Sequence, residues 1–194
     1  MKKITTSFFV LFAFLISAYA ADFTVTGSFP SNNWVNNAAD YKMTEIGTSG
    51  VYSLEKTLPA GTYEYKVFNT GTWTGPDGTV NRVFTLSSSK TVKFYAKLDN
   101  STIRFFCDAQ QLYAIGSSVG GWAKGNMKAL TNAGTEATYT ADVIAGEFKI
   151  VSLDKNSAIV WNDITPANLA VSGTGNYTLK LDYSTFSASA TSNG

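Results

Sequence analysis

Four tryptophans and a lysine are the residues of this 194-residue chain whose types and spacing could do chemistry. Trp34 is matched by Trp122 and Trp73 by Trp161, so each half of the chain carries a pair. Tryptophan ordinarily packs a core. Here Trp34 and Trp122 follow the loop residues Ser31-Asn32-Asn33 and Val119-Gly120-Gly121, and Trp73 sits in the polar Thr72-Trp73-Thr74-Gly75. Those settings favour indoles that meet a ligand. The chemistry would be stacking: a flat apolar plate against a flat ligand face, with the N–H donors of Lys66 at its edge.

The element that must place Lys66 beside Trp73 is the stretch 58–73. Pro59-Ala60-Gly61 reads as a turn, since proline presets one dihedral and glycine tolerates positive φ. Tyr63, Tyr65 and Val67 then alternate with Glu64, Lys66 and Phe68, which predicts a strand with one buried face. Asn69-Thr70-Gly71 turns the chain and brings Trp73 back on a returning strand. A weaker copy runs from 144 to 161, through Ala145-Gly146-Glu147-Phe148-Lys149-Ile150 to Trp161.

Around these, residues 23–29, 40–44, 50–58, 81–86, 91–97 and 102–107 read as strands. Residues 111–116, 136–144, 177–182 and 186–190 repeat members of that series at an offset of about 85–89 residues. Tyr63, Tyr65, Phe148 and Ile150 are expected in the core, with Cys107 as a small buried strand residue. Asp77, in Gly75-Pro76-Asp77-Gly78, reads as a turn residue in preference to a calcium ligand. The fold class is all-β: two tandem immunoglobulin-like β-sandwich modules, residues 21–107 and 108–194, following a signal peptide at 1–20. Each module takes seven or eight short strands, and the short join near 107–111 predicts restricted movement between them.

The signal peptide has a positive Lys2-Lys3, an apolar core at 8–16 and the small-x-small pattern Ala18-Tyr19-Ala20. Its apolar core is short for a membrane span. The expectation is an exported protein: secreted, periplasmic or associated with the cell surface. Without Lys2 and Lys3, 13 basic residues face 14 acidic ones, a net charge near −1. That is no footprint for nucleic acid or anionic lipid. A single cysteine rules out an internal disulfide and a cysteine metal cluster. The lack of histidine removes imidazole bases, histidine triads and histidine zinc sites. Neither a metal nor a cofactor is expected.

The residues resemble the glycogen- and starch-binding modules found in the AMP-sensing kinase β subunit, in pullulanases and in branching enzymes. The resemblance runs through Gly27-Ser28-Phe29, Asn32-Asn33-Trp34, Leu58-Pro59-Ala60-Gly61-Thr62-Tyr63-Glu64-Tyr65-Lys66, Gly71-Thr72-Trp73 and Gly78-Thr79-Val80-Asn81. It implies that Trp34 and Trp73 flank an α-glucan while Lys66 and Asn81 hydrogen-bond its hydroxyls. The second half is similar to modules of the starch-binding surface proteins of gut Bacteroidetes, in Leu112-Tyr113-Ala114-Ile115-Gly116, Gly120-Gly121-Trp122 and Ala145-Gly146-Glu147-Phe148-Lys149. By that resemblance Trp122, Lys149 and Trp161 form a second site. Lys149 stands three residues after its turn glycine and Lys66 five after Gly61, so both face one side but shifted by about 7 Å. Asn168 matches Asn81 only across a gap.

The chemistry suits a glucose ring, which has an apolar face of C–H groups and a fringe of hydroxyls. The implied partner is α-glucan, held near a separate glycoside hydrolase or transporter. Two rivals stand beside this. A glycosidase needs two carboxylates facing across a cleft, and the acidic residues here are scattered. There is also no Gly-x-Ser-x-Gly elbow, so the expectation is no enzyme. The other rival is a structural or protein-binding pair of sandwiches, because a fold alone does not decide function.

Overall fold

Strands with alternating apolar residues close over one another through their buried faces. The computed structural model, which describes residues 22–69, 80–99 and 102–194, is built in that way. Its first strands are β1 (Phe23–Gly27), β2 (Thr44–Glu45), β3 (Val51–Leu58), β4 (Gly61–Asn69), β5 (Arg82–Leu86), β6 (Lys90–Asp99) and β7 (Thr102–Cys107). The series continues with β8 (Tyr113–Ile115), β9 (Lys128–Ala129), β10 (Thr131–Asn132), β11 (Glu136–Val143) and β12 (Gly146–Leu153). It ends with β13 (Ile159–Val160), β14 (Leu169–Val171), β15 (Gly175–Asp182) and β16 (Ser187–Ser192). The helical segments among the described residues are three single turns of 3₁₀ type, at Ala39–Tyr41, Ser117–Val119 and Lys124–Asn126. None is long and apolar enough to cross a membrane.

The chain is all-β, with antiparallel sheets arranged as sandwiches. In the first half the sheet β1-β4-β5 packs on the sheet β2-β3-β6-β7. In the second half the order β13-β12-β8-β9, with β14 also on β12, packs on β10-β11-β15-β16. Tyr63, Tyr65, Phe148 and Ile150 are buried as their periodicity predicts. Cys107 is buried too, and burial pushes its thiol up to about 12. The strand expected at 40–44 is different. Ala39–Tyr41 turns once, because Tyr41 leaves the edge to stack on Phe29, with centroids 5.4 Å apart, and to share a 2.8 Å hydrogen bond with Ser31 Oγ.

Strands β6 and β7 depart from simple alternation. Phe94, Ala96, Ile103, Phe105 and Cys107 face the first core, while Tyr95 and Phe106 face the second. Phe106 meets Tyr95, Tyr183 and Phe186 at centroid distances of 5.2, 4.9 and 5.0 Å. The outer side of the first sandwich is therefore a wall of the second.

Polar groups close the same junction. Arg82 Nε lies 3.4 Å from Asp163 Oδ2, and both side chains are almost fully out of water. Asp163 also accepts from Ser152 Oγ, and the Arg82 guanidinium lies over the Phe105 ring at 5.1 Å. Arg104 Nη1 donates to Ile164 O at 2.8 Å, and Tyr65 Oη to Gln110 Oε1 at 2.6 Å. Asp163→Leu strands the buried guanidinium and is expected to cost about 3–5 kcal/mol, most of which Arg82→Met restores in the double variant. Urea unfolding checks this, and a wild-type midpoint for Asp163→Leu would refute it.

Candidate functional site

One candidate site lies in the second half. Along β12, Phe148 and Ile150 turn inward, so Glu147 and Lys149 stand on the outer face. Lys149 Nζ donates to Asn162 Oδ1 at 2.9 Å and to Pro166 O at 3.0 Å. Partial burial lowers the pKa of this ammonium. Asn162 directly follows Trp161, whose ring centroid is 6.3 Å from that of Trp122 at an interplanar tilt of 42°. The two indoles are 40% and 36% exposed, which makes them a wet aromatic surface and not a core pair. The structure thus sets Trp161 beside Trp122 and the residue after Trp161 on the Lys149 ammonium.

Local chemistry explains how they meet. Strand β13 pairs Val160 with Ser152, and Trp161 follows at the end of that ladder. Beyond it, Thr165 Oγ1 accepts from Ile150 N at 2.9 Å and donates to Ile150 O at 3.1 Å, replacing a strand partner with a side chain. Trp122 is aimed by a tight loop in which Gly116 and Gly121 exchange backbone bonds of 3.2 and 2.8 Å.

In the first half Lys66 lies on the outer face of β4, between the buried Tyr65 and Val67. Burial lowers its pKa, and the nearby charges of Arg82 and Lys155 lower it further. Asn81, just before β5, donates from Nδ2 to Glu64 Oε2 at 2.7 Å, on that same strand face. Trp34 is half-buried, and its backbone N–H donates to Gly27 O at 2.9 Å. Its φ is 68° and that of Asn33 is 39°. A tryptophan held in this left-handed region costs roughly 1–2 kcal/mol, strain of a kind that gathers at functional sites. Buried Asn32 holds the loop there, accepting from Thr26 Oγ1 and Gly27 N at 3.0 Å each. Trp73 and Asp77 lie outside the described residues.

Register corrects one expectation. Lys66 pairs with Thr26 and Lys149 with Ile115, each the residue before a glycine, Gly27 or Gly116. Ser28 Oγ and Ser117 Oγ accept from Glu64 N and Glu147 N at 3.0 and 2.9 Å. Measured against the first strand of each half, the two lysines are equivalent and the 7 Å shift is absent. The cause is close backbone approach. A Cβ on Gly27 would stand 2.3 Å from Glu64 O, and one on Gly116 2.2 Å from Glu147 O. These contacts set the register, and the hairpin turn absorbs the two-residue difference.

Asn168 Nδ2 donates to Glu147 Oε2 at 2.9 Å, repeating the Asn81–Glu64 bond. The gapped match is therefore a true structural counterpart. Glu64, Glu147 and Asn162 escaped the sequence reading. Each glutamate precedes its lysine by two residues, a period-two spacing that places both on one strand face. The tryptophans match less closely. Gly121 N, not Trp122 N, makes the bond that Trp34 N makes in the first half, so the indole sits one residue further on.

Comparison with known proteins adds to this geometry. Residues 23–103 match the family model of the pullulanase X25 domain. Comparison with curated proteins gives no match. Among solved structures the chain is similar to SusF from Bacteroides thetaiotaomicron, at 16% identity and a TM-score of 0.37. That similarity covers 88% of this chain and 47% of SusF, so the chain spans about half the length of that protein. The X25 match bears out the resemblance of the first half to starch-binding modules.

Gly116→Ala places its Cβ against the Glu147 carbonyl at a φ of 150°. It is expected to destabilise the protein by about 2 kcal/mol or more and to weaken the near-ultraviolet circular dichroism of the coupled indoles. Thermal melts and spectra of the variant check both, and an unchanged melting temperature would contradict the register argument.

Proposed function

We propose that this chain is a non-catalytic α-glucan-binding protein with two sandwich modules, residues 21–107 and 108–194. We further propose that residues 1–20 direct its export, to a secreted, periplasmic or cell-surface location. There it would hold starch, glycogen or malto-oligosaccharide near a separate glycoside hydrolase or transporter. The observation that carries the reading is the exposed Trp122–Trp161 pair beside Lys149 and Asn162. The X25 match over the first half supports it, as does the repeated asparagine–glutamate bond beside each lysine.

The indoles take the C–H face of a glucosyl unit, and the lysine and asparagine groups meet its hydroxyls. Covering about 100 Å² of apolar surface contributes roughly 2.5 kcal/mol, and association costs offset much of that. Two indoles with several hydrogen bonds correspond to a dissociation constant of roughly micromolar to millimolar order. Two sites on one polymer raise the avidity when both engage. Trp34 and Trp73, with Lys66 and Asn81, would form the first site, and Trp122, Lys149 and Trp161 the second.

Tryptophan fluorescence titrated with maltoheptaose is the test. Trp122→Ala with Trp161→Ala is expected to weaken binding at least about tenfold; adding Trp34→Ala with Trp73→Ala removes the remaining tryptophans and is expected to abolish retardation in an amylopectin gel. Soluble starch incubated with the protein should release no reducing sugar. A quadruple variant that is folded and still retarded in an amylopectin gel would sink the proposal.

A further inference from the structure

Lys155 lies in the turn between β12 and β13, in the second half, yet it reaches the polar edge of the first site. Its backbone N–H donates to Asn81 O at 2.9 Å, and its Nζ is 3.3 Å from Glu64 Oε2. That same oxygen accepts the Asn81 amide at 2.7 Å. One carboxylate oxygen is therefore gripped by an amide from its own half and an ammonium from the other.

The turn that carries Lys155 is well braced. Asp154 Oδ1 accepts from Asn156 N at 2.7 Å and Ala158 N at 2.8 Å, and Asp154 forms a β-bridge with Arg82. Lys124 Nζ, from the loop after Trp122, donates to Ser157 O. The second half repeats the asparagine–glutamate bond without this addition. Glu147 is exposed, and among the described residues no ion pair joins it. The two sites share a frame, but only the first has a clamp from across the junction.

We propose that Lys155 is a positioning residue of the first α-glucan site, supplied by the second half, which fixes Glu64 and through it the Asn81 amide. This rests on the α-glucan reading of that surface. A neutral sugar offers hydroxyls and no counter-ion, so an unclamped carboxylate beside it would draw donors away from the ligand. With Lys155 in place, Glu64 orients Asn81 and keeps its other oxygen as an acceptor for a hydroxyl. The first site is complete only when both halves are docked.

The Glu64 pKa is lowered, first by the Asn81 hydrogen bond, against burial, and then by Lys155. A carboxylate held low keeps its contacts above its unfolded pKa and loses them as pH falls through its folded pKa. Removing Lys155 moves that loss to higher pH.

The test uses the full chain carrying Trp122→Ala and Trp161→Ala, so that calorimetry with maltoheptaose reports the first site. Lys155→Met is expected to weaken binding about two- to fivefold and to shift the acid limb of the affinity profile upward. Lys155→Arg should retain both. In a chain carrying Trp34→Ala and Lys66→Ala, which reports the second site, Lys155→Met should change nothing. Equal affinity and equal acid limbs with and without Lys155 overturn the inference, as does an equal loss at both sites. No binding at the first site even with Lys155 present overturns the α-glucan reading of that half, and this inference with it.

Discussion

The buried contact between Arg82 and Asp163 is the constraint on which the arrangement of both sites depends. A guanidinium and a carboxylate taken out of water gain little net stability over apolar replacements. What such a pair supplies is direction, because neither charge tolerates a poor partner. Here Val80 O accepts from Arg82 Nη1 at 3.1 Å, the Phe105 ring lies beneath the guanidinium, and Ser152 donates to Asp163. Arg82 follows Asn81, and Asp163 follows Trp161 and Asn162. The pair thus locks the polar edge of one site to the aromatic surface of the other. The two surfaces are fixed in relation by a charge pair that lies beneath both and is exposed on neither.

Within each half a second constraint operates, the absence of a side chain at Gly27 and Gly116. Backbone carbonyls of Glu64 and Glu147 occupy the space where a Cβ would stand. Once that contact forms, the serine after each glycine bonds the glutamate N–H, and the lysine two residues on is placed without further choice. Turn length is then free to vary. So is the tryptophan loop, where the first half strains Asn33 and Trp34 and the second uses Gly120 and Gly121.

Much of this was legible in the sequence. Period-two alternation located β4 and β12 and their buried residues, because one face of each meets an apolar core. The matched tryptophans located the exposed pair in the second half. The register was not legible, since counting from a turn glycine assumes the turn is the fixed point, whereas the fixed point is the glycine of the neighbouring strand. Residues 40–44 misled because Tyr41 suits a strand and a stacked contact on Phe29 equally. Lys155 and Asp163 carried no signal, for their partners lie 91 and 81 residues away in the chain.

The two-sided burial of β7 has a consequence for where the chain divides. The matched tryptophans invite a cut between the two halves, at the short connection after Cys107. Such a cut would bare Phe106 and Tyr95, aromatic side chains now sealed under Tyr183 and Phe186. An excised first half would present a sticky wall to water and seek cover by self-association. The unit that keeps these aromatic side chains from water is therefore larger than either half of the chain.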